Sequence, residues 1–490
     1  MFDCVIIGSG LGGLLSGYLL SKEGLKVCVL EKHRKFGGNL QSFRRGEVSF
    51  DTGMHYIGSL SPGQTLFSYW KYFGLADHPN LVRMDEDGFD IISYPGAEFP
   101  IAQGMEHFRE QLLKFFPGAE KPLKEYTDTL EAIADGHPLY RLELPGGSAS
   151  RHFDAVSASS FLGQLSSYSG HQTARIPLAE VLTGNGLLCA YRQEVTPLHL
   201  YGLISHSFIS SAWRFAGGSQ QIADHLAEGI RSHGGTLAEK KEVTGVTGAE
   251  GNFTVRTADG DAVTGRRIIS NLHPASTLGL LDGIPVSKAY RERIGGLKNT
   301  SSVFSLYLGL KPGTFPYLNH NLYLHTLNKG WPQSFMLMTP PEVGQGEWAS
   351  TAVVLAPIRF DEFSKWEESV TGRRDRDYWI YRAQRSQRLL ETVYIRYPEL
   401  RDAIASIDIS TPLTWRDYTG TPQGSMYGIA KDAAHPMAGT IHPKTKVPGL
   451  FLTGQNVNLH GAVGVTIGAV MTCGEILGLP RVLKSIKDAL

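Results

Sequence analysis

The first thirty-two residues constrain this chain more than any other stretch. Cys4-Val5-Ile6-Ile7 reads as a buried strand. Gly8-Ser9-Gly10-Leu11-Gly12-Gly13 follows, then an apolar helical stretch, Leu14 to Leu20, and a second strand, Lys26 to Leu30, that ends at Glu31-Lys32. Strand, Gly-x-Gly-x-x-Gly turn, helix, strand and acid in that order describe one unit of an α/β sheet. Gly8 permits the tight turn, Gly10 lets backbone approach a pyrophosphate with Gly12 in the same turn, and Gly13 lets helix and strand pack closely. The helix N-terminus then faces the phosphates. Glu31 stands where a carboxylate accepts hydrogen bonds from ribose hydroxyls, and its charge disfavours a 2′-phosphate. A glycine turn alone is weak ground. Here every neighbouring part agrees, so a dinucleotide site is expected, with Lys32 beside it.

Two later stretches extend the site. Gly37-Gly38 follows the second strand, and Phe50-Asp51-Thr52-Gly53-Met54-His55-Tyr56-Ile57-Gly58 comes soon after. Paired glycines let the chain pass close to a bound dinucleotide. Near the other end, Gly449 to Gln455 reads as a strand leading to a ligand-facing turn at Gly454-Gln455. Gly461 to Leu477 then reads as a small-residue helix. Gly461, Val463, Gly464 and Val465 fall in its first turns, where the helix dipole faces a ligand.

These stretches resemble the flavin amine-oxidase and phytoene-desaturase superfamily, and the segment Phe50–Gly58 resembles its retinol saturase and carotenoid isomerase branch. Thr421 to Gly428, Leu452 to Gln455 with Gly461 and Gly464, the Gly217-Gly218 helix and the strand end at Ser270-Asn271 also fit. The resemblance implies FAD as cofactor. It places Gly53, Met54 and His55 over the flavin, and Val243 and Asn271 among the contacts. One departure is Asn456, where the family often carries an acid. Asparagine still donates and accepts hydrogen bonds, but pyrophosphate ordering or flavin electronics then differ.

At 490 residues, two to three domains are expected. The expected fold is a doubly wound, Rossmann-like α/β domain, discontinuous over 1–75, 215–280 and 420–490. Inserted in it is an α+β substrate domain of mixed or antiparallel sheet and helices, over 76–214 and 281–419. Expected elements include a helix from Ser219 to His233, a strand from Thr236 to Val246 and a hairpin around Asp259-Gly260-Asp261. Others are strands Ser302–Leu310 and Ala349–Leu355, a helix Tyr378–Tyr397 and a long loop from Gly330 to Gly346.

Lysine plus arginine and aspartate plus glutamate both number 47, so charge gives no sign of nucleic-acid binding. Cys4, Cys28, Cys189 and Cys473 show neither metal spacing nor a secreted disulfide pattern, and no metal is expected. No stretch is long or apolar enough to span a membrane. The fingerprint starts almost at Met1, which speaks against a cleaved signal peptide. The expected setting is cytoplasmic, with contact at a membrane surface as a further option. Leu198 to Trp213 reads as a core helix, as the lining of an apolar tunnel, or as a patch dipping into a bilayer. Arg373, Arg374, Arg376, Arg382, Arg385 and Arg388 read as a salt-bridged face, or else as a contact for anionic lipid headgroups.

Hydride transfer at a flavin needs substrate stacked on the ring, water excluded, and often a proton donor or acceptor. His460, His55 and Tyr56 are the candidates. A histidine has a usable pKa near neutrality, and the alternative for each is a pocket-shaping role. The leading expectation is an FAD-dependent oxidoreductase that reduces a carbon–carbon double bond of a lipophilic conjugated or isoprenoid substrate. The alternatives are a non-redox polyene cis–trans isomerase, a phytoene-type desaturase, and a flavin-binding lipid chaperone. With no second dinucleotide fingerprint, an external electron donor or acceptor is expected.

Overall fold

The apolar run at the start of the chain offers no polar face to water, so it is buried on both sides at the centre of a mainly parallel sheet. The computed structural model describes residues 1–146, 155–165, 176–326 and 330–490. Among these residues, a seven-stranded sheet runs Thr236–Ala238, Val27–Leu30, Phe2–Ile7, Ala262–Ser270, Asn252–Thr257, Val243–Ala249, and Leu450–Leu452 pairs with the far end of Ala262–Ser270. The strands around Phe2–Ile7 and Leu450–Leu452 are parallel, and the last two join Ala262–Ser270 as an antiparallel meander.

The pleat sends alternate residues to opposite sides. Cys4, Ile6, Val27 and Val29 pack under the helices Leu11–Lys22, Gln220–Ser232 and Gly461–Leu477. Val5, Ile7, Cys28 and Leu30 pack on the other side with Val246, Phe253 and Ile284. Cys4 and Cys28 thus sit on opposite faces, and all four cysteines are free and buried. Burial pushes the Cys28 thiol up to about 11.

A second seven-stranded sheet runs Ile404–Ser410, Ser302–Leu310, Thr351–Ile358, Ser334–Met338, Asn321–His325, Asp90–Tyr94, Ala97–Ile101. Its pairs are antiparallel except Asn321–His325 with Asp90–Tyr94. All nine residues of Ser302–Leu310 are buried because both faces are covered. Phe304, Leu306 and Leu308 meet the Arg376–Arg396 helix side, where Leu389 and Val393 pack. Val303 and Tyr307 face the other way, together with Tyr323, Met336, Val353 and Leu355.

Four local expectations need correction. Thr236–Val246 is two strands: the chain turns at Lys240, whose φ is 57°. Lys240 N–H donates to His33 O and Lys241 N–H to Glu31 O, so the turn is clipped over the acidic strand end. Gly330–Gly346 contains the strand Ser334–Met338, held by neighbours on both sides. The helix from Leu198 stops at Ser210, and Trp213 belongs to the strand Ala212–Phe215, paired with Ile57–Gly58 and Leu81–Arg83. The apolar side chains of that helix are buried or line a cleft, so it offers no bilayer-dipping patch. The arginine cluster includes Arg374–Asp417 and Arg385–Glu362 ion pairs, as a salt-bridged face would. Among the described residues no helix is long and apolar enough to cross a membrane.

Candidate functional site

The fingerprint turn is crowded by backbone. A Cβ on Gly12 would stand 2.6 Å from the Gly454 amide nitrogen, and one on Gly13 would run into Gly8 O. Only glycine lets the Leu11–Lys22 helix, the first strand and the Thr453-Gly454 turn approach so closely. Asn271, at the end of its strand, occupies the same junction, with Nδ2 2.6 Å from where a Gly10 Cβ would be. Gly37 closes the other side: its N–H donates to Ser9 O at 3.0 Å, and Gly10 bridges Gly37 in parallel fashion. The Leu11–Lys22 helix has Gly10 as N-cap and no side-chain cap, so its first amides remain open to an anion.

Glu31 is buried and already engaged. Its Oε2 accepts from Ser9 N–H at 3.0 Å and Ser9 Oγ at 2.5 Å, and its Oε1 accepts from His33 N–H at 2.9 Å. A carboxylate has about four lone-pair sites, so acceptor capacity remains. Its visible work is to order the glycine turn. Lys32 instead points to Asp417 O, at 3.1 Å. Val243 opens the antiparallel strand and packs into the core on the meander side.

The Asp51 carboxylate ties the next segment down. It accepts from Ser42 Oγ at 2.7 Å and Ser219 N–H at 3.0 Å, so it caps the Gln220–Ser232 helix. That fixes the Thr52–His55 segment at the wall of a cleft with about 1210 Å³ of empty space. Gly53, Met54, His55 and Tyr56 form one side of the cleft, and His460, Gly461, Val463 and Gly464 another. Leu203, Ile204 and Phe208, with Val303, Met336 and Leu355, supply apolar walls. The Gly461–Leu477 helix enters with His460 as N-cap and no side-chain cap. Val465 lies in its buried face, and Gln455 is half-buried in the turn before it. Asn456 does not face this cleft: its Oδ1 accepts from Ile429 N–H at 2.9 Å.

Neither histidine is poised near neutrality. Burial, with Lys431 nearby, pushes His460 down to about 3. Burial, with Arg214 nearby, does the same to His55. His460 stacks on Tyr427, ring centroids 4.0 Å apart, and both of its ring nitrogens lack a partner. His55 Nδ1 is also unpartnered. Buried nitrogens of this kind are expensive unless a ligand meets them.

Several groups escaped the sequence reading. Tyr427 is one. A buried polar cluster behind Tyr56 is another: Tyr56 Oη lies 2.6 Å from Tyr323 Oη and donates to Asp90 Oδ2 at 3.1 Å. Asn185 and Asn321 also donate to Asp90, and Arg214 donates to Asn321 Oδ1 at 2.6 Å. A visible signal was an acid inside the apolar run Phe89-Asp90-Ile91-Ile92, since an unpaired buried acid is rare.

The glycine cradle, two uncapped helix N-termini and the orphaned histidine nitrogens fit a large, anionic, dinucleotide-type cofactor. Fold and site together define an oxidoreductase with a Rossmann-like dinucleotide-binding sheet and a second sheet that walls its cleft. Residues 6–73 match the NAD(P)-binding Rossmann-like domain family. Over 97% of its length, and 86% of the relative's, the chain is 26% identical to all-trans-retinol 13,14-reductase of Danio rerio. It is 22% identical to the chloroplastic prolycopene isomerase of Daucus carota, over 98% of this chain and 81% of that one. A solved structure of wild-type putrescine oxidase bound to putrescine superimposes with a TM-score of 0.62 at 18% identity, covering 99% of this chain and 99% of that one. The structural likeness shows the shared fold. By name, the two sequence relatives correspond to the saturase and isomerase branches that the motifs resemble.

Proposed function

We propose that this protein is an FAD-dependent oxidoreductase that reduces a carbon–carbon double bond of a lipophilic conjugated or isoprenoid substrate. The observation that carries the reading is the cleft itself. One end is formed by an uncapped helix N-terminus and the Gly53–Tyr56 segment, and the rest is walled by aliphatic and aromatic side chains. A polyene has no charge to recognise, so apolar walls and shape must hold it. The retinol 13,14-reductase relatives, by name, reduce a retinoid double bond.

FAD bound here would supply the hydride. The chain's own residues do the rest. Gly8, Gly10, Gly12 and Gly13 admit the pyrophosphate, with Gly37 and Gly38 against them. Glu31 holds the turn and offers its remaining lone pairs to ribose. The Gly461 helix N-terminus favours negative charge on whatever ring lies before it. His460 and His55 act as neutral hydrogen-bonding groups rather than as imidazolium acids, because burial holds both down to about 3. The prolycopene isomerase relatives favour a second reading, polyene isomerisation without net redox.

The test begins with denaturation of the purified protein, which should release free FAD. Yellow colour that stays with the precipitate contradicts non-covalent binding. The reduced holoprotein is then mixed anaerobically with retinoids, carotenoids, quinones and unsaturated lipids. At least one polyene should reoxidise the flavin. A flavin that none of them reoxidises contradicts the reductase reading.

A further inference from the structure

Reduction of a double bond needs a proton as well as a hydride, and the histidines beside the cleft are held neutral. The Asp90 cluster has what they lack. Tyr56 and Tyr323 both face the cleft, and their hydroxyls are 2.6 Å apart. Behind them the Asp90 carboxyl is fully buried, and it takes hydrogen bonds from Tyr56, Asn185 and Asn321.

Two of the Asp90 donors are amides, which cannot pass a proton on. Asn321 is fixed in orientation because Arg214 donates to its Oδ1, leaving Nδ2 for Asp90. Among the described residues, Tyr56 is the one Asp90 partner whose hydrogen bond can reverse. With Asp90 ionised, Tyr323 donates to Tyr56 and Tyr56 to Asp90, and no phenol hydrogen is left for the cleft. With Asp90 protonated, the chain inverts: Asp90 donates to Tyr56, Tyr56 to Tyr323, and the Tyr323 hydrogen is freed toward the cleft.

We propose that Asp90, Tyr56 and Tyr323 form a proton relay that delivers the proton for double-bond reduction, with Tyr323 as the group that touches the substrate. The proposal rests on the reductase reading. Both electrons and one hydrogen come from the reduced flavin. As the second C–H bond forms, the Tyr323 O–H bond breaks. Tyr56 restores it, and Asp90 restores Tyr56. Asp90 is left as carboxylate, and after product leaves, water in the cleft returns the proton through Tyr323 and Tyr56.

Burial raises the Asp90 carboxyl to about 6 against the pull of its donors, so near neutrality it exchanges between both forms. Burial also lifts both phenols well above their usual range, so they pass protons rather than lose them. Among the described residues, the charged and titratable groups around Asp90 are Tyr56, Tyr323 and Arg214, with Tyr427 and Cys189 beyond Tyr323.

The experiment compares wild type, Asp90→Asn and Tyr323→Phe as holoproteins. In anaerobic single turnover with a polyene that reoxidises wild type, both variants should slow flavin reoxidation by roughly 10²–10⁴-fold, the usual contribution of a positioned proton donor. Wild-type rate should fall as pH rises past about 6, and Asp90→Asn should lose that dependence. Independently of turnover, infrared spectra of the oxidised, substrate-free holoprotein should show a protonated carboxyl band. It should titrate over the same range, shift in Tyr56→Phe and vanish in Asp90→Asn. Wild-type turnover with both variants within about twofold of it overturns the relay and leaves the reductase reading intact. Wild type that no polyene reoxidises overturns the reductase reading, and the relay with it. Should Asp90→Asn not fold, Tyr323→Phe, which removes one hydroxyl, decides the matter alone.

Discussion

The nucleotide cradle and the Asp90 cluster are built by opposite means. In the cradle the decisive feature is missing side chains: Gly10, Gly12 and Gly13 let a helix end, strand ends and the Gly454 turn approach to distances that no Cβ tolerates, and Gly8 takes a φ of 91°. In the cluster the decisive feature is side chains that have found one another. Tyr56, Asp90, Asn185, Arg214, Asn321 and Tyr323 come from segments spread over more than half of the chain. The cradle binds by backbone and is local in sequence. The cluster handles charge by networked polar groups and exists only once both sheets have formed.

The largest effect on flavin binding should come from filling the cradle. Gly12→Val places branched carbon against the Gly454 backbone, and overpacking of this sort costs about 1–3 kcal/mol before any ligand is considered. The purified variant should emerge from gel filtration without flavin; full flavin occupancy would mean that the close approach is not what makes the site. Breaking the cluster should instead destabilise the protein while sparing the cradle. Arg214→Met leaves Leu318 O, Thr339 O and Asn321 Oδ1 without their donor, and a buried acceptor left unsatisfied costs about 1–3 kcal/mol. Urea unfolding checks this, and a loss below about 1 kcal/mol would show that the network is slack.

Glu31 tests the cradle more gently. Glu31→Ala removes hydrogen bonds to Ser9 and His33, each of a charge-assisted kind worth about 1.5–3 kcal/mol. Flavin retention should fall further in Glu31→Ala than in Glu31→Gln, by equilibrium dialysis; equal retention in all three proteins removes Glu31 from the account. The smallest effect is a pH slope. His460 lies at about 3 when folded, against an ordinary 6.5, so between those values the unfolded chain binds the extra proton and stability rises with pH. The steepest contribution is about 1.4 kcal/mol per pH unit, and His55 and His206 act in the same direction. His460→Phe should give a shallower dependence of the urea midpoint between pH 6 and 4, and an unchanged slope would mean that His460 is not shielded from water.

The cradle was legible because its requirements are local. Glycine spacing, a following helix and an acid at the strand end all fall within the first βαβ unit. The Gly461–Leu477 helix and the Ser302–Leu310 strand were equally plain, since unbroken apolar or small-residue runs leave little choice. The strand break at Lys240 was not legible, because it is made by hydrogen bonds to Glu31 and His33, some 200 residues earlier in the chain. The same holds for Ser334–Met338, a strand only by virtue of its two neighbours. For the histidines, residue type pointed to a pKa near neutrality and burial overrode it. Asp90 carried a hint in its apolar setting, but its partners are fixed by tertiary structure alone.

In the proposed reaction the cleft holds a polyene against a flavin that reduces it. The most direct measurement is an anaerobic single turnover of the reduced holoprotein with the polyene that reoxidises it fastest, following flavin absorbance and product mass together. One flavin should be oxidised for each product molecule that gains two hydrogens. A product of unchanged mass and altered double-bond geometry, formed while the flavin stays reduced, would contradict it and make the protein an isomerase.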